Sequence, residues 1–262
     1  MTQARNIIQT HQSPKNMIQS YSQLLEDIYI HMNCINVPRN DISLVEVGAF
    51  NGVKYSNTLM LEQQLQTMPA HLVEPSPLNQ LKIRKSRPES PTYPFAISKE
   101  FGLVKFAGDA AVSGISSKLT AEYKKRWNVN DFSEYNVLTV PMNAFLKSTN
   151  LEYIDFLSID VQGSELDLLK SMDWQVPIGY MCIELEGHHP SQDNECREIL
   201  KNQGFKKIAK LHISEIYKFE DYDRANLLYD ASKKASLEDY QLKPYAKKQL
   251  QNVEEELKRS SN

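Results

Sequence analysis

The feature that most constrains this chain is a recurrent unit: a short apolar run ending in an acid or a glycine, then a stretch of helical spacing. SLVEV at 43–47, HLVEP at 71–75, YIDFLSID at 153–160 and IGYMCIELE at 178–186 are such runs. Runs so short and so apolar are strands buried on both faces. Around them, residues 16–32, 55–67, 161 to about 172 and 193–204 carry apolar residues near a 3.6-residue period, the last closed by Gly204. Strands alternating with helices predict an α/β protein with a parallel sheet covered on both faces. PFAIS at 94–98 reads as a third strand with FGLVKFAGD as its hairpin partner, and 107–117 as a loop. YNVLTVP at 135–141, FKKIAKLHISEIYKF and NLLYD read as later strands.

Open sheets of this kind bind ligands in the crevice at the carboxyl ends of their strands. Two places in the sequence point there. In EVGAFNG, Glu46, Gly48, Asn51 and Gly52 sit where the first strand meets a helix, and glycine lets backbone approach a ligand with no Cβ in the way. Glu74 then ends the second strand, where an acid suits two ribose hydroxyls, both hydrogen-bond donors. The glycine spacing is GxxxG rather than the GxGxxG of dinucleotide sites. A helix N-terminus beside it suits a carboxylate, and Glu46 suits an ammonium. The methionyl carboxylate and ammonium of S-adenosylmethionine would suit that pair, and the glycine spacing weakens a nicotinamide or flavin reading without excluding it.

Composition removes other classes. The net charge is −3 and Lys and Arg are spread along the chain, so no nucleic-acid surface is expected. No apolar run has the roughly 20 residues of a membrane span, and no signal segment is visible, so a soluble cytoplasmic protein is expected. Cys34, Cys182 and Cys196 have no pairing or metal-ligand spacing and read as free thiols.

The stretch IDFLSIDVQGSELDLLK at 154–170 is more distinctive: an apolar strand ends in Asp160, Gly163 allows a turn, and Glu165 opens a helix. With it, the chain resembles the FkbM family of S-adenosylmethionine-dependent methyltransferases. Asp160, Gly163 and Glu165 match the family's signature strand and turn; Ser158 stands where lysine is frequent and Gln162 where glutamate is frequent. VEVGAFNGVKYSNTLMLE, LVEPSP, AISKEFGLVKFAGDAAVSGISS and VPMNAFL fit its other segments. SQLLEDIYI and KSRPES fit a subgroup with a helical N-terminal extension.

The resemblance implies a class I methyltransferase (Rossmann-like) three-layer sandwich, with a seven-stranded, mostly parallel sheet and one antiparallel strand. It implies a helical extension over 1–40 and a methyltransferase domain over 41–230; the tail over 231–262 is charged and lacks strong apolar content, so it reads as helical or partly disordered. It also implies O-methylation of a sugar, glycan or other small-molecule hydroxyl. Glu46, Gly48, Asn51 and Gly52 are then expected at the methionyl end of the cofactor, Glu74 at the ribose, Ala96, Ile97 and Ser98 near adenine, and Asp160 between cofactor and acceptor.

Asp160, His188 and His189 are the candidate bases for the hydroxyl proton. A divalent ion on Asp160, Glu184 and Glu186 is an alternative use of those oxygens. Trp127 and Trp174 read as packing residues. Arg87 reads as either a surface residue or a partner for an anion. Two rivals remain at this point: a nicotinamide-dependent dehydrogenase or epimerase, and a non-catalytic descendant that binds a nucleoside or a protein.

Overall fold

The computed structural model describes residues 17–128, 133–185, 187 and 189–242. The chain enters through β1 (Ile18–Gln19) and α1 (Glu26–Asn33). The first half of the domain is β2 (Leu44–Val47), α2 (Leu59–Leu65), β3 (His71–Val73), α3 (Pro77–Ser86) and β4 (Thr92–Tyr93). A side sheet follows, made by β5 (Ala96–Ile97), β6 (Gly102–Ala107), β7 (Gly114–Ile115) and, after α4 (Ala121–Arg126), β8 (Glu134–Val140). The second half is α5 (Met142–Thr149), β9 (Ile154–Ile159), α6 (Glu165–Lys170), β10 (Ile178–Glu184), α7 (Pro190–Asn202), β11 (Phe205–Leu211) and β12 (Ser214–Phe219). α8 (Ala225–Leu228) and β13 (Tyr240–Gln241) close the described chain.

The main sheet has the order β11-β12-β10-β9-β2-β3-β4. Only β12 runs against its neighbours; the other pairings along β10, β9, β2, β3 and β4 are parallel. This is the seven-stranded, mostly parallel sheet with one antiparallel strand that the resemblance implies. Sequence order reverses between β2 and β9, so the switch point of the sheet lies where their carboxyl ends part. Strand periodicity explains the two cores. Leu44, Phe156, Tyr180 and Cys182 face one layer, with Tyr29 of α1, Met60 of α2 and Ile83 of α3. Val45, Leu157, Met181 and Ile183 face the other, with Phe145 of α5, Leu169 of α6 and Leu200 of α7.

Several elements differ from their sequence expectation. The helix expected over 16–32 begins only at Glu26, because residues 18–19 are drawn into a pairing with β13. The third strand of the main sheet is Thr92–Tyr93 rather than PFAIS. β5 instead pairs with β8, and β6 also pairs with β8, so β5 and β6 are not a hairpin. The loop over 107–117 contains β7. NLLYD is not a strand: Ala225–Leu228 is a helical turn, a run too short for its apolar residues to fix a period. Arg87 is not a surface residue: it is 4% exposed, and the anions it partners are Glu46 and Glu62 of the protein itself. Trp174 packs edge-on against Phe205 as expected, whereas Trp127 is 39% exposed at the end of α4, with the Arg126 guanidinium over its ring, and is not a core packing residue. The three cysteines are free and buried.

The described part of the tail runs to residue 242. β13 pairs in parallel with β1, Ile18 opposite Tyr240, and Tyr240 is buried. Its hydroxyl shares a 2.6 Å hydrogen bond with His31 Nδ1, and burial holds the His31 ring below its ordinary pKa, in its neutral form. Tyr240→Phe removes this one bond and leaves the ring contact, so it is expected to cost about 1 kcal/mol in urea unfolding. An unchanged midpoint would mean that the bond contributes nothing. Residues 243–262 of the expected tail lie outside the described residues.

Candidate functional site

A cavity of about 790 Å³ opens at the carboxyl ends of β2, β3 and β9, at the switch point. Gly48, directly after β2, is its pivot. Gly48 N and Ala49 N both donate to Val73 O of β3 (2.9 and 3.1 Å), while Asp160 N, directly after β9, donates to Val47 O (3.0 Å). Gly48 has φ +92°, and a Cβ there would stand 1.8 Å from Asp160 O. Three strand ends therefore converge on a residue that has room for no side chain.

Glu74 lies at the end of β3, buried in the cavity wall. Phe50 N donates to its Oε2 (2.9 Å) and Ser76 N to its Oε1 (2.9 Å), so the carboxyl group is fixed from both sides. Burial nevertheless outweighs these bonds and pushes its pKa up to about 7.

Glu46 also lines the cavity, but most of its hydrogen-bonding capacity is spent within the protein. Ser56 Oγ (2.8 Å) and Thr58 Oγ1 (2.6 Å) donate to its Oε2, and Asn57 N (2.9 Å) to its Oε1. Arg87 Nη1 lies 3.5 Å from the same Oε2, and Arg87 Nη2 lies 2.7 Å from Glu62 Oε1. Glu46 thus holds the turn at 56–58 against β2.

The remaining wall combines Asp160 and Ser158 of the signature strand with Ala96 and Ile97 of β5, Phe95 and Phe106. Asn57 Nδ2 donates to Ser158 Oγ (2.9 Å), which explains how a serine fits where the resemblance leads one to expect lysine. Gln162 Nε2 donates to Asp160 Oδ1, and Gln162 Oε1 accepts from the Tyr123 hydroxyl. Glu165, at the start of α6, accepts from Val161 N and Gly163 N, and burial raises it to about 7.

Of the residues singled out by sequence, Glu46, Gly48, Glu74, Ala96, Ile97 and Asp160 meet in this one cavity. Asn51, Gly52 and Ser98 do not line it. Asn51 Oδ1 instead accepts from Val53 N and Lys54 N, and Gly52, at φ +76°, faces Ile83 and Arg87 of the α3 region. Ser98 N is spent on Val140 O. His189 lines a neighbouring cavity of about 480 Å³, its Nε2 3.2 Å from Lys118 O, while His188 and Glu186 lie outside the described residues. Among the described residues no set of three His, Cys, Asp or Glu is placed to hold a metal ion, and no helix is long and apolar enough to cross a membrane. Sequence reasoning missed Tyr55, Asn57 and Phe95. Only Phe95, next to the expected Ala96, carried a signal.

Comparisons with known proteins follow the same line. No curated protein matches the chain in sequence. Among solved structures, methyltransferase FkbM from Methylobacillus flagellatus KT is similar at TM-score 0.48 and 12% identity, over 76% of this chain and 48% of that one. The chain thus spans about half the length of that relative. A fibrillarin pre-rRNA processing protein from Methanococcus jannaschii aligns over 76% of this chain and 75% of that one (TM-score 0.42, 14% identity). The O-methyltransferase NovP aligns over 75% and 76% (TM-score 0.34, 12% identity). Likenesses at these scores carry no functional argument. The family assignment rests on sequence: the methyltransferase FkbM domain matches residues 46–207, more than half of the chain, and the chain belongs to that family.

Proposed function

We propose that this chain transfers the methyl group of S-adenosylmethionine to a hydroxyl oxygen of a small molecule or glycan. The observation that carries the reading is the convergence of Gly48, Glu74 and Asp160 on one cavity at the switch point. The cavity suits the cofactor chemically: a bare backbone at Gly48, a fixed carboxylate for a ribose diol at Glu74, and an apolar wall of Phe95, Ala96 and Ile97 for a purine. When bound, the cofactor supplies an electrophilic methyl carbon on a sulfonium.

The protein's part is alignment and proton handling. Gly48 and Asp160 hold the ends of β2 and β9 together, which fixes the floor under the reacting atoms. A hydroxyl that accepted that methyl group would have to give up its proton. Asp160 is the group we assign to take it, because it lines the cavity whereas His189 lines the next one. Gln162, donating to Asp160 Oδ1, keeps that carboxylate oriented.

Thermal unfolding with S-adenosylmethionine, S-adenosylhomocysteine and NAD tests the reading. The first two at roughly 100 times Kd should add about 2.7 kcal/mol and NAD nothing. Stabilisation by NAD alone would refute it, and no response to any of the three would leave a non-catalytic descendant. Glu74→Ala is expected to weaken S-adenosylhomocysteine by roughly a hundredfold, the loss of two charge-assisted hydrogen bonds.

The titration of Glu74 gives a sharper signature. Its folded pKa, raised to about 7, means that the unliganded protein loses stability from this group as pH rises from the ordinary carboxylate range through 7. Hydroxyl donors bind its ionised form. Affinity for S-adenosylhomocysteine should therefore climb by roughly tenfold per pH unit below 7 and level off above it. In Glu74→Gln the slope should vanish; a slope that persists in calorimetry would move the ribose contact elsewhere.

A further inference from the structure

We propose that the outer face of the side sheet is a self-association surface, through which two copies of this chain form a two-fold symmetric dimer. An antiparallel strand with one face on a core carries polar residues on the other. β8 and β6 depart from that pattern. Along β8, Val137 and Thr139 turn inward and are buried, while Glu134, Asn136 and Leu138 turn outward and are exposed. Along β6, Phe106 joins Val137 in the inner cluster, and Leu103 and Lys105 lie exposed on the outer face. Leu103 stands directly opposite Leu138 in the register of the two strands, so the two leucines form a cross-strand pair on the wet side of the sheet.

The pair is the centre of a larger patch. Leu103 is 62% exposed and Leu138 61%. Phe101, at the start of β6, is 69% exposed, and Leu81, on α3, is 64% exposed. Leu81 and Leu138 line one open groove of about 850 Å³ between α3 and β8, together with Pro75, Pro77, Pro94 and Val137. A single leucine in water needs no explanation, whereas a contiguous apolar patch marks a contact surface. Each of the four side chains presents on the order of 100 Å² of apolar surface. Covering them with the strand and groove surface between them removes about 600–800 Å² per copy, which is what a specific dimer of standard size buries on each partner.

Charge selects a second copy of this chain as the occupant. Lys105 and Glu134 flank the leucine pair on the outer face, and neither is ion-paired among the described residues. In a two-fold interface every contact occurs twice, residue i on j and j on i. A patch with an apolar centre, one cation and one anion is complementary to itself: Lys105 of each copy meets Glu134 of the other while the leucines pack. A partner of a single charge sign would meet a like charge there. The inner face of the same sheet contributes Ala96, Ile97, Phe106 and Ile115 to the cavity at the switch point, so the dimer backs one wall of that cavity.

Sedimentation velocity on the full chain, from about 1 to 200 µM, should show a reversible monomer–dimer equilibrium with Kd on the order of 10 µM. Leu103→Lys and Leu138→Lys should each raise Kd at least tenfold. Both side chains already stand in water, so circular dichroism and the urea midpoint at low concentration should stay at the parent values. Lys105→Glu should weaken the dimer roughly fivefold, and adding Glu134→Lys should restore it, a rescue that only a self-complementary contact gives. A parent that stays monomeric at about 200 µM overturns the proposal, as does a dimer that both leucine variants leave intact. Binding to phosphatidylcholine vesicles in place of self-association would assign the patch to a lipid surface and overturn it as well.

Discussion

Gly48→Ala is expected to yield a protein with no measurable S-adenosylhomocysteine binding and a stability lower by about 4 kcal/mol or more. Two costs act together. The residue sits at φ +92°, where any side chain is strained, and its Cβ would be 1.8 Å from Asp160 O, a backbone atom that cannot rotate away. Relief requires the ends of β2 and β9 to separate, which breaks the hydrogen bond from Asp160 N to Val47 O and displaces Asp160 itself. Gly52→Ala provides the contrast. It is also at positive φ, but its Cβ would meet Ile83 Cγ1 at 3.1 Å, a side-chain atom outside the cavity. It should lose stability and keep its ligand. Calorimetry on both variants separates the cases; ligand binding by Gly48→Ala at the parent's affinity would show that the strand ends do not frame the site.

Arg87→Met should destabilise the protein by about 3–5 kcal/mol, because it leaves two acids without their cation in the interior. Arg87 Nη2 pairs with Glu62 Oε1 at 2.7 Å and donates to Thr58 Oγ1, and Nη1 reaches Glu46, Ser56 Oγ and Gly52 O. The guanidinium thereby ties α3 to the turn that follows the glycines. Adding Glu46→Gln and Glu62→Gln to Arg87→Met removes the stranded charges and should recover part of the loss. A single substitution that costs under about 1 kcal/mol would show that water reaches the network and screens it.

The strands β2, β3, β9 and β10 were legible because they are short and largely buried, so apolar runs and their closing acids mark them, whereas β4, two half-buried residues, was not. Gly48, Glu74 and Asp160 could be placed together for the same reason: each directly follows a strand, and parallel strands bring such residues to one edge. What stayed hidden was set by partners far along the chain. Nothing near Arg87 announces Glu46, and nothing near Asn57 announces Ser158. β5 has two residues, and its membership of the side sheet rests on β8 rather than on its own pattern. Gly52 shows the limit of spacing: two glycines four apart look equivalent in sequence, yet one faces the cavity and the other the α3 region.

The parallel bridge between Ile18 and Tyr240 also sets the order in which the fold can be completed. The segment that follows Ile18 carries Gln23 and Glu26, and the bridge's second strand is synthesised only after every strand of the main sheet. A nascent chain halted before Tyr240 can already pair β2, β3 and β9, but its amino-terminal segment lacks the strand that docks it. The cavity at the switch point should thus take shape during biosynthesis before the amino-terminal segment settles.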